Sequence, residues 1–125
     1  MKYPWVDEYL LTKRAVEKDF QQDWNWIRYK IDGKMFAAIC LEGEKARFIT
    51  LKLPPEEGEL LRKQYPDVLP GYYMNHLHWN SVCACGEVPQ DVLRTMLDHA
   101  YLTVMHGLSK RRQRELLAQD EKEDA

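Results

Sequence analysis

The sequence predicts an α+β protein: a two-layer sandwich with helices covering one face of an antiparallel sheet. Three observations carry this expectation. The runs Trp26–Ile31 and Lys34–Leu41 flank Asp32-Gly33. Asp-Gly between two such runs is a strong hairpin signal, because a type I′ turn needs positive φ at both central residues. A third run, Ala46–Leu53, follows a second turn at Glu42-Gly43-Glu44-Lys45, which makes a meander. Finally, strands and helices do not alternate regularly along the chain, which favours segregated layers over a parallel sheet.

Taken in order, Trp5, Val6, Tyr9 and Leu10 fall at helical spacing, with Asp7 and Glu8 in the first turn, so a helix is expected from about Pro4 to Arg14. Ala15 to Gln22 is read as a polar connection that docks Val16 and Phe20. The meander follows. Pro54-Pro55 ends it and opens a helix, since proline is tolerated where the first N–H has no partner. Leu60, Leu61 and Tyr65 are expected to line one side of this helix, and Pro66 closes it. Trp79 to Cys85 reads as a fourth strand, turned by Gly86.

Pro89 opens the longest helix. Leu93, Met96, Leu97, Ala100, Tyr101, Val104 and Leu108 recur at three and four, a broad apolar stripe. Gly107 is its expected stop, and Ser109 can cap a short final helix from Lys110 to Leu117. The expected organisation is one domain over residues 1–118 and a charged, disordered tail over 119–125.

Composition narrows the function classes. Eighteen Lys plus Arg stand against twenty Asp plus Glu in 125 residues, a net charge of −2. A chain-wide positive field is absent, so nucleic-acid binding would need a local patch. No apolar run approaches a membrane span, and the first residues lack a signal-peptide core. The expected location is the cytoplasm. The three cysteines, Cys40, Cys83 and Cys85, do not suggest a disulfide framework. No Gly-rich phosphate loop or nucleophile elbow is present, and the chain is not expected to be an enzyme.

One stretch follows neither period: Leu69-Pro70-Gly71-Tyr72-Tyr73-Met74-Asn75-His76-Leu77-His78-Trp79-Asn80-Ser81-Val82. With Asp23-Trp24, Phe36-Ala37, Leu51-Lys52, Glu59-Leu60-Leu61-Arg62, Val88-Pro89 and Ala100-Tyr101, it resembles the MmcQ/YjbR family over nearly the whole chain. Tyr73-Met74-Asn75 and His78-Trp79-Asn80 are the most telling pieces. The resemblance implies a CyaY/frataxin-like sandwich and the family's DNA-binding label, with a "double wing" picture. The family usually has lysine after the motif asparagine. Here that position is His76, largely neutral near pH 7, so any charge it contributes becomes pH-dependent.

Candidate site residues follow from chemistry. Arg28, Lys30 and Lys34 on the hairpin can neutralise phosphates, and Tyr72, Asn75, His76, His78, Trp79 and Asn80 can stack or hydrogen-bond. Lys110, Arg111, Arg112 and Arg114 add charge in the last helix. The bland reading is a solvated strand face, with Trp79 in the core and Asn75 tying down an irregular connection. Tyr73-Met74-Asn75 and Trp79 are assigned to fastening the loop, and Tyr72, His76, His78 and Asn80 to facing outward. His-x-His and Cys-x-Cys lack the usual structural-zinc spacing, and no metal or cofactor is expected. The leading reading is a non-catalytic, monomeric DNA-binding protein. The alternative is a small-ligand or protein-interaction module using the same loop, with a pocket lined by Tyr72, His76 and His78.

Overall fold

The computed structural model describes residues 2–71, 75 and 77–124, with side chains through residue 118. The elements, in chain order, are α1 (Val6–Leu11), β1 (Val16–Gln21), β2 (Trp26–Ile31), β3 (Lys34–Glu42), β4 (Lys45–Lys52), α2 (Pro55–Gln64), β5 (Val68–Pro70), β6 (Trp79–Cys83), α3 (Gln90–Gly107) and α4 (Lys110–Asp124). The six strands form one sheet in the order β1-β2-β3-β4-β6-β5, and each neighbouring pair is antiparallel. The α+β expectation is met.

Turn chemistry explains the meander. Asp32 and Gly33 take φ of 52° and 77°, the doubly positive pair that a type I′ turn requires. Gly43 turns β3 into β4 at φ 63°.

Alternation then divides the sheet into two faces. Tyr29, Ile31, Phe36, Ile39, Ile49, Leu51 and Val82 point inward against Leu93, Met96, Leu97, Ala100 and Val104 of α3. Burial of that stripe is the main stabilisation, at roughly 1.5–3 kcal/mol for each large apolar side chain. Trp26, Ala38 and Cys40, with Met35 and Phe48 beside them, form a separate apolar cluster on the opposite face, and this cluster contains no helical residue.

Several elements differ from the expectation. α1 stops at Leu11 rather than Arg14. Residues 16–21 are an edge strand, not a connection. Their own pattern is polar, and Phe20 is exposed, so pairing with β2 makes them a strand. Cross-strand ion pairs contribute to that pairing. Asp19 accepts from Arg28 Nε and Nη2 at 2.7 and 2.9 Å and lies 2.9 Å from Lys30 Nζ. β5 is only three residues long, and Pro70 is tolerated there because it lies on the sheet edge.

Leu60 is exposed, not packed. Leu61 and Tyr65 do pack against the core, and the buried residue of α2 is Gly58. A Cβ there would lie 2.8 and 2.9 Å from the side-chain amide of Asn80. α4 begins as expected, with Ser109 Oγ accepting from the N–H of Arg112 at 3.0 Å, but it continues to Asp124 through the segment expected as a tail. That segment consists mainly of good helix formers, which allows the extension. Arg112 anchors its base to Asp32 at 2.8 Å.

Two outcomes follow. Gly58→Ala gains up to about 1 kcal/mol of helix propensity. It also overpacks against Asn80, which is fully buried and held by Arg62, at a cost of about 1–3 kcal/mol. Denaturant unfolding should show net destabilisation, relieved in the Asn80→Ala background; additivity of the two changes would refute the contact. Secondly, the hydrogen bond from Arg28 and then that from Lys30 hold the Asp19 carboxyl down at about 2, against an ordinary 3.8. A depressed carboxylate contributes stability above its unfolded value and loses it as pH falls through the folded one. The Asp19 pair should therefore weaken between about pH 4 and pH 2. A carboxyl NMR midpoint near 3.8 for Asp19 would contradict the pairing.

Candidate nucleic-acid interface

The sheet face opposite α3 carries the candidate site. The β1–β2 turn positions its most exposed aromatic. Asn25 takes φ 59°, its Nδ2 donates to the Gly43 carbonyl at 3.0 Å, and its own carbonyl accepts from Leu41 N–H at 3.0 Å. Trp24 is thereby placed edge-on to Trp26 at 5.4 Å between ring centroids. Trp24 is 53% exposed, and the Arg28 guanidinium lies 5.8 Å from its ring centroid. Alternation sends Trp26, Arg28 and Lys30 to this same face.

Beside these residues runs a groove of about 460 Å³. Trp24, Trp26, Phe48 and Leu69 form its apolar sides, and Cys40, Thr50 and Ser81 contribute small polar groups. Those three residues lie on neighbouring strands and form a ladder: Cys40 Sγ is 3.4 Å from Thr50 Oγ1, which is 3.0 Å from Ser81 Oγ. Burial pushes the Cys40 thiol up to about 11 despite the opposing Thr50 hydrogen bond, so it is protonated at neutral pH and poorly suited as a nucleophile. Arg47 stands at the groove with its guanidinium 5.1 Å from the Phe48 centroid and 3.7 Å from Glu42.

The residues singled out from the sequence separate into groups. Arg28 and Lys30 lie on this face, but Asp19 pairs with both. Lys34 is exposed at the hairpin tip. Asn75 is a fastening residue: its Oδ1 accepts from Leu77 N–H at 2.8 Å, and its carbonyl from Trp79 N–H at 3.0 Å. His78 is half-buried, and its carbonyl accepts from Leu53 N–H at 2.8 Å. Trp79 is 9% exposed and lies under Gly71, where a Cβ would come within 2.7 Å of it.

Asn80 corrects the outward assignment. Its partner across β4 is Leu51, a core residue, so its side chain enters the helix layer, where Arg62 Nη1 donates to it. Tyr72 and His76 lie outside the described residues, so the expected pocket around them and His78 cannot be placed. Of Lys110, Arg111, Arg112 and Arg114 in α4, two are drawn into pairs, Arg111 and Arg112 with Glu115 and Arg112 with Asp32.

The cysteines, which do not suggest a disulfide framework in the sequence, nonetheless hold one bond. Cys83 and Cys85 form a disulfide across the turn that follows β6, with Cα atoms 5.2 Å apart. The turn, rather than spacing along an extended strand, brings them within bridging distance.

Sequence reasoning missed Trp24, Phe48, Leu69, Arg47, Thr50 and Ser81. Part of the signal was available. Trp26, Arg28 and Lys30 are spaced by two, and so are Phe48 and Thr50, which places each set on one strand face, whereas Trp24 is placed by the turn at Asn25. The approach of Leu69 and Ser81 depends on β5 and β6 closing beside β4, which no local pattern specifies.

The YjbR family model matches residues 11–103. The chain is 31% identical over 112 residues to Uncharacterized protein YjbR of Escherichia coli strain K12, covering 90% of this chain and 93% of that protein. It is 37% identical over 86 residues to Uncharacterized protein YbdF of Escherichia coli O157:H7, covering 69% and 70%. Among solved structures, DR2400 of Deinococcus radiodurans, described as a DUF419 domain, superposes with a TM-score of 0.82 at 28% identity, over 89% of this chain and 84% of that one. A Pseudomonas syringae protein shares the fold with a TM-score of 0.64 at 23% identity, over 80% and 96%. No described helix is long and apolar enough to cross a membrane. By family match and by identity over nearly its whole length, the chain belongs to the YjbR family.

Proposed function

We propose that this chain is a non-catalytic DNA-binding protein that takes unpaired bases on the open face of its sheet. The observation that carries the reading is Trp24, 53% exposed on a sheet face and flanked by Arg28. An exposed indole beside a guanidinium is a stacking platform for a base, and every base has a π-face. Arg28, Lys30 and Arg47 lie near enough to follow a backbone across the strands. The interaction rests more on stacking than on charge, because Asp19 offsets one of the two strand cations. This fits a net charge of −2 better than a phosphate-dominated surface does. Unpaired bases are favoured over duplex because stacking on Trp24 needs an exposed base face.

A second reading shares the surface. The groove between Trp26, Phe48 and Leu69, with its hydroxyl ladder, also suits a small aromatic ligand.

Titration of short single-stranded DNA, followed by tryptophan fluorescence, separates the two readings. Contact with about two phosphates, the third cation being offset by Asp19, gives a slope of about −1.4 in log affinity against log salt. Trp24→Ala should weaken binding roughly ten- to hundredfold, the usual range for a lost stacked base, and leave that slope unchanged. Asp19→Asn should strengthen binding and steepen the slope by about 0.7 by freeing a cation. Quenching by free nucleosides that does not grow with oligonucleotide length would favour the small-ligand reading. Absence of any oligonucleotide binding at low salt would refute the DNA reading.

A further inference from the structure

Next to this groove, where Cys83 pairs with Phe48 across β4 and β6, Asp67, Cys83 and Cys85 bring three metal-ligating atoms within 4.8 Å of one another. The grouping is built by backbone contacts. Cys83 N–H donates to the Asp67 carbonyl at 3.0 Å, which ties the turn before β5 to the end of β6. Glu87 N–H donates to Asp67 Oδ2 at 3.2 Å and orients that carboxylate, whose Oδ2 lies 3.2 Å from Cys85 Sγ. Cys85 N–H points at Cys83 Sγ at 3.2 Å across the same turn. Lys2, Lys45 and Arg47 line the same hollow as the two cysteines together with Glu42 and Glu44, so the charges around the pair are mixed.

The disulfide between them spans a single intervening residue. So small a loop constrains the unfolded chain little, which leaves this bond a weak structural staple. Cys85 is exposed, so its sulfur is open to attack.

We propose that reduction of Cys83–Cys85 creates a binding site for a thiophilic divalent cation, with Asp67 as the third protein ligand. An external dithiol supplies the electrons. Its thiolate attacks Cys85 Sγ, and Cys83 leaves as a thiolate. The reductant's second thiolate then attacks its own sulfur in the mixed disulfide, releasing Cys85 and leaving the reductant as a cyclic disulfide. Two thiols remain on the protein. Zn²⁺ binding displaces both thiol protons, and solvent completes the four-coordinate shell.

The test uses the full-length protein, oxidised or reduced with a dithiol and desalted without oxygen. Reduced protein should bind one equivalent of Zn²⁺ in competition with a chromogenic chelator. With Co²⁺ it should develop thiolate-to-metal charge-transfer absorption. Oxidised protein, with the same sequence and fold, should do neither. Cys83→Ser/Cys85→Ser should abolish both signals, and Asp67→Asn should weaken Zn²⁺ by about tenfold or more. The proposal is overturned if the dithiol leaves the pair oxidised. It is equally overturned if reduced protein shows no cobalt–thiolate band, or if the double serine variant binds Zn²⁺ as tightly as the reduced parent.

Discussion

One-sided burial under α3 is the constraint on which the rest of the structure depends. Its stripe from Leu93 to Val104 needs an apolar surface, and β2, β3 and β4 provide it through Tyr29, Ile31, Phe36, Ile39, Ile49 and Leu51. Because strand side chains alternate, this choice also decides what stands on the other face. Trp26, Arg28, Cys40, Phe48 and Thr50 are directed away from the helices by the same geometry that buries their neighbours. The candidate interface is thus the complement of the core, and shifting any central strand by one residue would destroy both.

The open face balances two tendencies. Its aromatics invite a flat partner, and its cations invite phosphate, but Asp19 holds Arg28 and Lys30 across the edge strand. That carboxylate helps hold β1 to the sheet, so part of the surface's positive field is spent on stability. A similar division operates at Asn80, whose amide lies under α2, bonded by Arg62 and pressed close by Gly58. A buried amide hydrogen-bonded from the helix above it fixes the seating of that helix more sharply than apolar contact does. Its role is architectural.

Much of the fold could be read in advance, and for local reasons. The Asp32-Gly33 turn, the Pro55 and Pro89 helix starts, the α3 stripe and the Ser109 cap each depend on a few adjacent residues. β1 and β5 could not be read this way. Val16–Gln21 has no apolar alternation, and Val68–Pro70 is too short to show any, so both are strands because a neighbour offers a free edge. The site divides in the same manner. Arg28 and Lys30 were visible as strand cations, but their capture by Asp19 was not. Trp24 and Trp26 were visible as a pair spaced by two, but the exposure of Trp24 depends on the turn at Asn25.

By itself, the sequence determined the fold class, the hairpin chirality, the helix boundaries set by proline and serine, and the resemblance to the YjbR family, because each is encoded in short patterns. Tertiary structure alone decided which residues share a surface. Leu69 and Ser81 reach Trp24 and Phe48 only because β6 pairs with β4 and β5 with β6. Asp67 meets Cys85, eighteen residues away, only because the same strands return side by side. Asn80 turned inward because register with Leu51 set its face. In each case the deciding contact is non-local, and its energy depends on strand order and register, which no window of adjacent residues contains.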